Sequence, residues 1–154
     1  HPTGGFMEFR SDISGSSTYE RLMTEMAVLM AGRAAERLIL GDVGAGAGMA
    51  RESDLGRATA LALLIEAQCG LGHSGEAYIG DIKDLVYAPA LHLAVNLQLK
   101  DAEAKASLAL DRKRGRLEAL AKALNQEGYL SGDEIRSIIC VTPIDLNEGE
   151  EEFA

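Results

Sequence analysis

The stretch STYERLMTEMAVLMAGRAAERLILG, residues 17–41, decides the fold. Leu22, Met23, Met26, Leu29, Met30, Ala34, Leu38 and Ile39 recur at helical spacing, which gives one broad apolar stripe on a helix of about six turns. Ser17 and Glu20 stand three apart, the spacing of a capping box in which hydroxyl and carboxylate satisfy each other's orphan amides. Gly41 follows the last periodic residue and suits a left-handed helix stop. The spacing therefore predicts a first helix running to about Leu40, with its methionines serving as core.

The same pattern recurs downstream. Ser53-Asp54 opens a second helix carrying Leu55, Ala58, Leu61, Leu64, Ile65 and Ala67, ended by Gly70-Leu71-Gly72. A loop with a short strand at Ala77-Tyr78-Ile79 leads to Ala88-Pro89, where proline fits the first turn of a third helix. That helix is expected to break or bend near Gly115, before a fourth from about Leu117 to Leu124. Ser131-Gly132-Asp133-Glu134 repeats the capping-box spacing ahead of Ile135, Ile138 and Ile139, and Pro143 terminates the fifth helix. The expected fold is mainly α, a single helical domain of about five helices, with a short N-terminal β segment at Phe6-Met7-Glu8-Phe9 as an addition.

Composition agrees. Aromatics make up 5% of 154 residues and Trp is absent, a balance favouring closely packed helices. A chain of this length buries roughly 70% of its unfolded surface and needs neither metal nor disulfide as a staple. The net charge of −9 has the wrong sign for a nucleic-acid footprint, despite the basic run Arg112-Lys113-Arg114-Gly115-Arg116. Glu148, Glu150, Glu151 and Glu152 mark residues 147–154 as an acidic, disordered tail. Cys69 and Cys140 lack CxxC spacing and sit among apolar residues, where a free thiol behaves as a small hydrophobe in a reducing compartment. No apolar run approaches the ~20 residues a membrane span needs, so the stretch is expected to be cytoplasmic and to make no membrane contact.

Residue chemistry taken alone is sparse. Gly41-Asp42-Val43-Gly44-Ala45-Gly46-Ala47-Gly48 is glycine-rich, yet it follows a helix and lacks the Lys-Ser/Thr of a phosphate loop. Its glycines suit close backbone approach instead. His1, His73 and His92 form no HExxH, so no self-contained zinc site is present. Asp54 has two readings of equal weight: a helix N-cap, or a hard anionic oxygen offered to a cation.

A resemblance bears on that choice. Ala31-Gly32-Arg33-Ala34-Ala35-Glu36, Leu40-Gly41-Asp42-Val43, the Gly-Ala loop and Ser53-Asp54-Leu55-Gly56-Arg57-Ala58-Thr59 resemble the protease domain of the FtsH family, AAA+ zinc proteases usually anchored in membranes. Gly70-Leu71-Gly72 is similar to that family's Gly-Met-Ser, and Leu130-Ser131-Gly132-Asp133-Glu134-Ile135 keeps its helical ending. The resemblance spans about Gly4 to Ile139. It implies an FtsH-like peptidase domain, C-terminal portion, over residues 1–146. It implies a parent that is an ATP-dependent zinc metalloendopeptidase, with ATP on a separate module and two zinc-binding histidines upstream of His1. The family's third protein ligand maps to Asp54, with Glu52 as the alternative carboxylate. Protein or peptide substrates and a homo-oligomer, hexameric in the family, are implied as partners, and the parent's anchor would leave this region facing the cytoplasm. Without the histidines this stretch would be inactive, and Gly44 to Ser53 would be poorly ordered. The runner-up is a non-catalytic helical oligomerisation or interaction module derived from such a protease. Departures from the pattern are the four extra residues Met49-Ala50-Arg51-Glu52, Ser53 in place of Asn, and a shorter connection after Gly72.

Overall fold

The computed structural model describes residues 14–80 and 88–141. It contains five α helices: α1 (Tyr19–Leu40), α2 (Asp54–Ala67), α3 (Pro89–Asp111), α4 (Arg114–Glu127) and α5 (Gly132–Val141). A 3-10 turn at Ala45–Ala47 lies between α1 and α2. The mainly α expectation is met. Among the described residues there is no strand, only an isolated bridge between Gly72 and Gly75. Ala77-Tyr78-Ile79 is not a strand: the Ile79 amide donates to the Ala67 carbonyl at 2.8 Å, so the loop folds back on the end of α2. The N-terminal β segment, the acidic tail, His1 and Pro143 lie outside the described residues.

The chain divides into two compact units, His1–Ala106 and Ser107–Ala154. In the first, α1 packs along α2, and α3 supplies the third wall up to Ala106. The apolar stripe of α1 is buried from Leu22 to Ala34, with Leu22, Met23, Met26, Leu29, Met30 and Ala34 all core, whereas at the end of the helix Leu38 is only partly buried and Ile39 is exposed, against the expectation from spacing. The leucines and methionines among them meet Ala58, Leu61, Ala62 and Ile65 from α2, and Leu91, Val95 and Ala102 from α3. Small residues facing large ones let the helices approach closely. Truncating a buried position such as Leu22 or Met26 to Ala costs about 2–5 kcal/mol. Outside the core, Glu103 on α3 binds Arg37 at 2.8 Å and Arg33 at 3.4 Å on α1. Lys105 pairs with Glu20.

Helix ends follow local chemistry with two shifts. Thr18, not Ser17, is the N-cap of α1, its hydroxyl accepting from the Arg21 amide. This places Glu20 inside the first turn, where it faces Lys105 rather than closing a capping box. Gly41 ends α1 at φ 74°, as expected. Helix α2 stops at Ala67 with Gln68 as its C-cap, and Gly70 then turns left-handed at φ 60°, where a β-carbon would lie 2.7 Å from the Glu76 carbonyl oxygen. Both cysteines are free and exposed rather than packed.

The second unit holds the end of α3 with α4 and α5. The break after α3 falls at Arg112-Lys113, and Gly115 lies inside α4. Gly128 closes α4 at φ 73°. The second capping box is made in full: Ser131 N–H donates to the Glu134 carboxylate at 2.7 Å and Glu134 N–H to the Ser131 hydroxyl at 3.3 Å. Hydrogen bonding from the Ser131 hydroxyl, and then from the Ser131 amide, holds the Glu134 carboxyl below its usual range. No residue of α4 is fully buried.

Candidate functional site

Asp54 is the first residue of α2. Ser53 takes the cap itself, its hydroxyl accepting from the Gly56 amide at 3.1 Å and donating to the Ala50 carbonyl at 2.6 Å. Capping therefore does not consume the Asp54 carboxylate. Its side chain is 48% exposed, and Arg57 stands 4.0 Å away, the limit of an ion pair. An anionic oxygen at the positive end of a helix is favoured where it stands. Glu52 is exposed in the preceding turn. Among the described residues no three His, Cys, Asp or Glu side chains converge as a metal site.

The loop leading to Asp54, expected to be poorly ordered, follows a hydrogen-bonded path. Glu36 on α1 accepts from the Gly44 amide at 2.8 Å. Gly44 then starts the 3-10 turn, closed by Gly48 N–H to the Ala45 carbonyl. Met49 adopts φ 72°, a conformation unusual for a residue with a side chain. The chain next lies over the first turn of α2, where only glycine fits: a β-carbon at Gly56 would sit 2.3 Å from the Arg51 carbonyl oxygen.

A second carboxylate on α2 has the opposite surroundings. Glu66 is completely buried. One oxygen accepts from the His73 amide at 3.0 Å and the Gln98 side chain at 2.7 Å; the other accepts from the Ser74 amide at 2.8 Å. The Gln98 carbonyl oxygen accepts from the Tyr19 hydroxyl at 3.1 Å, so the network joins α1, α2, α3 and the 70–75 loop. Gly72 is pressed against the carboxylate, with room for no β-carbon. Desolvation pushes the Glu66 carboxyl up, but the bonds from Gln98, His73 and Ser74 outweigh it and hold the group below the usual glutamate range. Burial raises the Tyr19 hydroxyl, opposed by its bond to Gln98. Sequence reading passed over Glu66. Its signal was the i, i+4 series Ala58, Ala62, Glu66, which sets a charge on the buried stripe just before a Gly-x-Gly turn.

The two described histidines do not assemble. His73 lies 3.6 Å from Asp101 at the surface, and His92 is exposed on α3.

No protein-family model matches the chain. Individual relatives do. ATP-dependent zinc metalloprotease FtsH 3 of Sorangium cellulosum is 36% identical over 122 residues, covering 77% of this chain and 19% of that protein. FtsH 1 of Symbiobacterium thermophilum, bearing the same description, is 36% identical over 124 residues, covering 75% and 19%. FtsH of Lancefieldella parvula is 26% identical over 170 residues, covering 97% and 26%. The chain thus spans about a fifth to a quarter of the length of these relatives. With that extent, it belongs to the FtsH family.

Proposed function

We propose that this chain is part of an ATP-dependent zinc metalloendopeptidase that degrades protein substrates, and that Asp54 is one of its zinc ligands. The observation supporting the ligand role is that Ser53 caps α2, which leaves the Asp54 carboxylate half-exposed at the helix start. A carboxylate oxygen is a suitable zinc donor. Residues 1–146 would form the C-terminal portion of the peptidase domain. The remaining ligands, two histidines, would come from sequence preceding His1, and ATP would bind a separate module of the parent. Bound zinc supplies Lewis-acid polarisation of the scissile carbonyl and lowers the pKa of a coordinated water. The chain's own contribution is positional: α1 and α2 hold Asp54, and the loop from Gly41 to Ser53 presents it. Alone, the chain would not cleave peptides. By likeness to the family, the parent would be a homo-oligomer, hexameric, acting on protein substrates.

The test is zinc content and casein degradation by the full-length parent with Asp54→Ala. Loss of both is expected, together with an HExxH within a few tens of residues upstream of His1. Undiminished zinc binding and proteolysis would refute the ligand role. Absence of the histidine motif would leave a non-catalytic helical module.

A further inference from the structure

The basic run at the start of α4 serves neither the core nor the Asp54 site. Arg112, Lys113, Arg114 and Arg116 are four of the six Lys and Arg residues between 107 and 141, a stretch with five Asp and Glu in a chain whose net charge is −9. The neighbouring acids are spent on one of the four: Asp111 lies 3.8 Å and Glu118 3.1 Å from Arg114. Lys113 is exposed, and neither it nor Arg116 has an ion-pair partner among the described residues. The Arg116 Nε is buried and without a hydrogen-bond partner among the described residues. The place of the run is also unfavourable to its own helix. Cations are stabilising at a helix C-terminus and anions at its N-terminus. Yet α4 starts on this run, has no acid in its first turn, and its N-cap Lys113 makes no side-chain bond to the first amides. Positive charge set against the helix dipole breaks a local rule of folding, as a surface made for an anion would.

We propose that the basic start of α4 is the docking site of this chain's own acidic segment, Glu148 to Glu152, which pairs with Lys113 and Arg116 and lies over the uncapped first turn. Charge complementarity supports that occupant: Asp145, Glu148, Glu150, Glu151 and Glu152 follow α5 with no Lys or Arg among residues 142–154. Reach supports it too. Helices α4 and α5 pack together across the four-residue connection 128–131. They are about 21 Å and 15 Å long, so even with α5 at right angles its far end stands about 25 Å from the start of α4. The chain from Val141 to Glu148 spans up to about 23 Å, and to Glu152 up to about 36 Å, so the segment reaches the run with both helices in place. Docked there, it is held rather than disordered as composition suggests. Any other acidic peptide that reaches α4 must then displace it.

The experiment is NMR of the 154-residue chain, following the amides of residues 112–117 and the Arg116 Nε–H. Wild type is compared with a variant carrying Glu148→Gln, Glu150→Gln, Glu151→Gln and Glu152→Gln together. Neutralising the segment is expected to shift those signals, and about 1 M salt, which screens charges beyond about 3 Å, should move wild type to the same positions. A synthetic peptide of residues 145–154 should bind the neutralised variant about tenfold more tightly than wild type, whose own segment competes at high effective concentration. Adding Lys113→Gln or Arg116→Gln to the neutralised variant should each weaken the peptide about threefold; the exposed Lys113 carries this arm should Arg116→Gln fail to fold. Unmoved α4 signals on neutralisation, or equal peptide affinity for the two proteins, would overturn the docking. Peptide binding indifferent to both added substitutions would place the segment elsewhere and overturn it as well. Shifts that depend on protein concentration would put the segment on a second copy of the chain, against the intrachain reading.

Discussion

Two carboxylates on α2, twelve positions apart, have opposite environments. Glu66 is wholly buried and accepts from two backbone amides and a side-chain amide. Asp54 is half-exposed, relieved of capping by Ser53, with an arginine at the edge of ion-pair range. A buried charge is tolerated only when it is hydrogen-bonded, and Glu66, closed off from solvent, is committed to its three donors. Asp54 retains free lone pairs and stands at a helix start. Within one helix, burial marks the carboxylate that ties elements together, and exposure marks the one proposed as a ligand.

The contrast would break most visibly at Glu66. Glu66→Ala strands two amides and Gln98 in the interior and should cost about 3–5 kcal/mol, read from urea unfolding; a loss below about 1 kcal/mol would show the network to be incidental. Gly72→Ala attacks the same carboxylate from outside, forcing a methyl into occupied space, and about 2 kcal/mol is expected from the shift in thermal midpoint. Titration should give a gentler effect. Because the folded Glu66 carboxyl lies below its unfolded value, its contribution is present above the unfolded pKa and is lost as pH falls through the folded one. Stability should therefore decline below about pH 4, with a shallower slope in Glu66→Gln. Ser53→Ala removes the cap of α2 and should cost about 1 kcal/mol. Asp54→Ala should move stability least, by about 0.5 kcal/mol, through the lost helix-end charge. A stability loss at Asp54 rivalling that at Glu66 would erase the distinction.

Elements whose reasons are local could be read before the structure. The stripe from Leu22 to Ala34 and the left-handed stop at Gly41 depend on nothing beyond their own helix, as does the Ser131–Glu134 box. Misreadings arose where two local solutions compete or where the deciding partner is distant. Ser17 and Thr18 both offer a hydroxyl, and Ser17 is instead drawn into a turn with Ser14. Helix α2 ends at the Gln68 cap, before the glycines that spacing pointed to, and the break after α3 precedes Gly115 because glycine lowers helix propensity without forbidding a helix. Glu66 was illegible for the same reason: its environment is assembled by Gln98, 32 residues on, and by a loop whose path sequence periodicity does not describe. Asp54 was singled out by spacing and likeness. That Ser53 rather than Asp54 caps the helix needed coordinates.

Met49 carries one more consequence. Met23, Met26 and Met30 are buried in the helical core, whereas Met49 is 92% exposed in the loop just before Asp54. In a protein labelled only at methionine methyls, its NMR signal would be narrow and separate from those of the packed residues. The chain thus carries its own spectroscopic reporter beside the start of α2, readable without adding a probe.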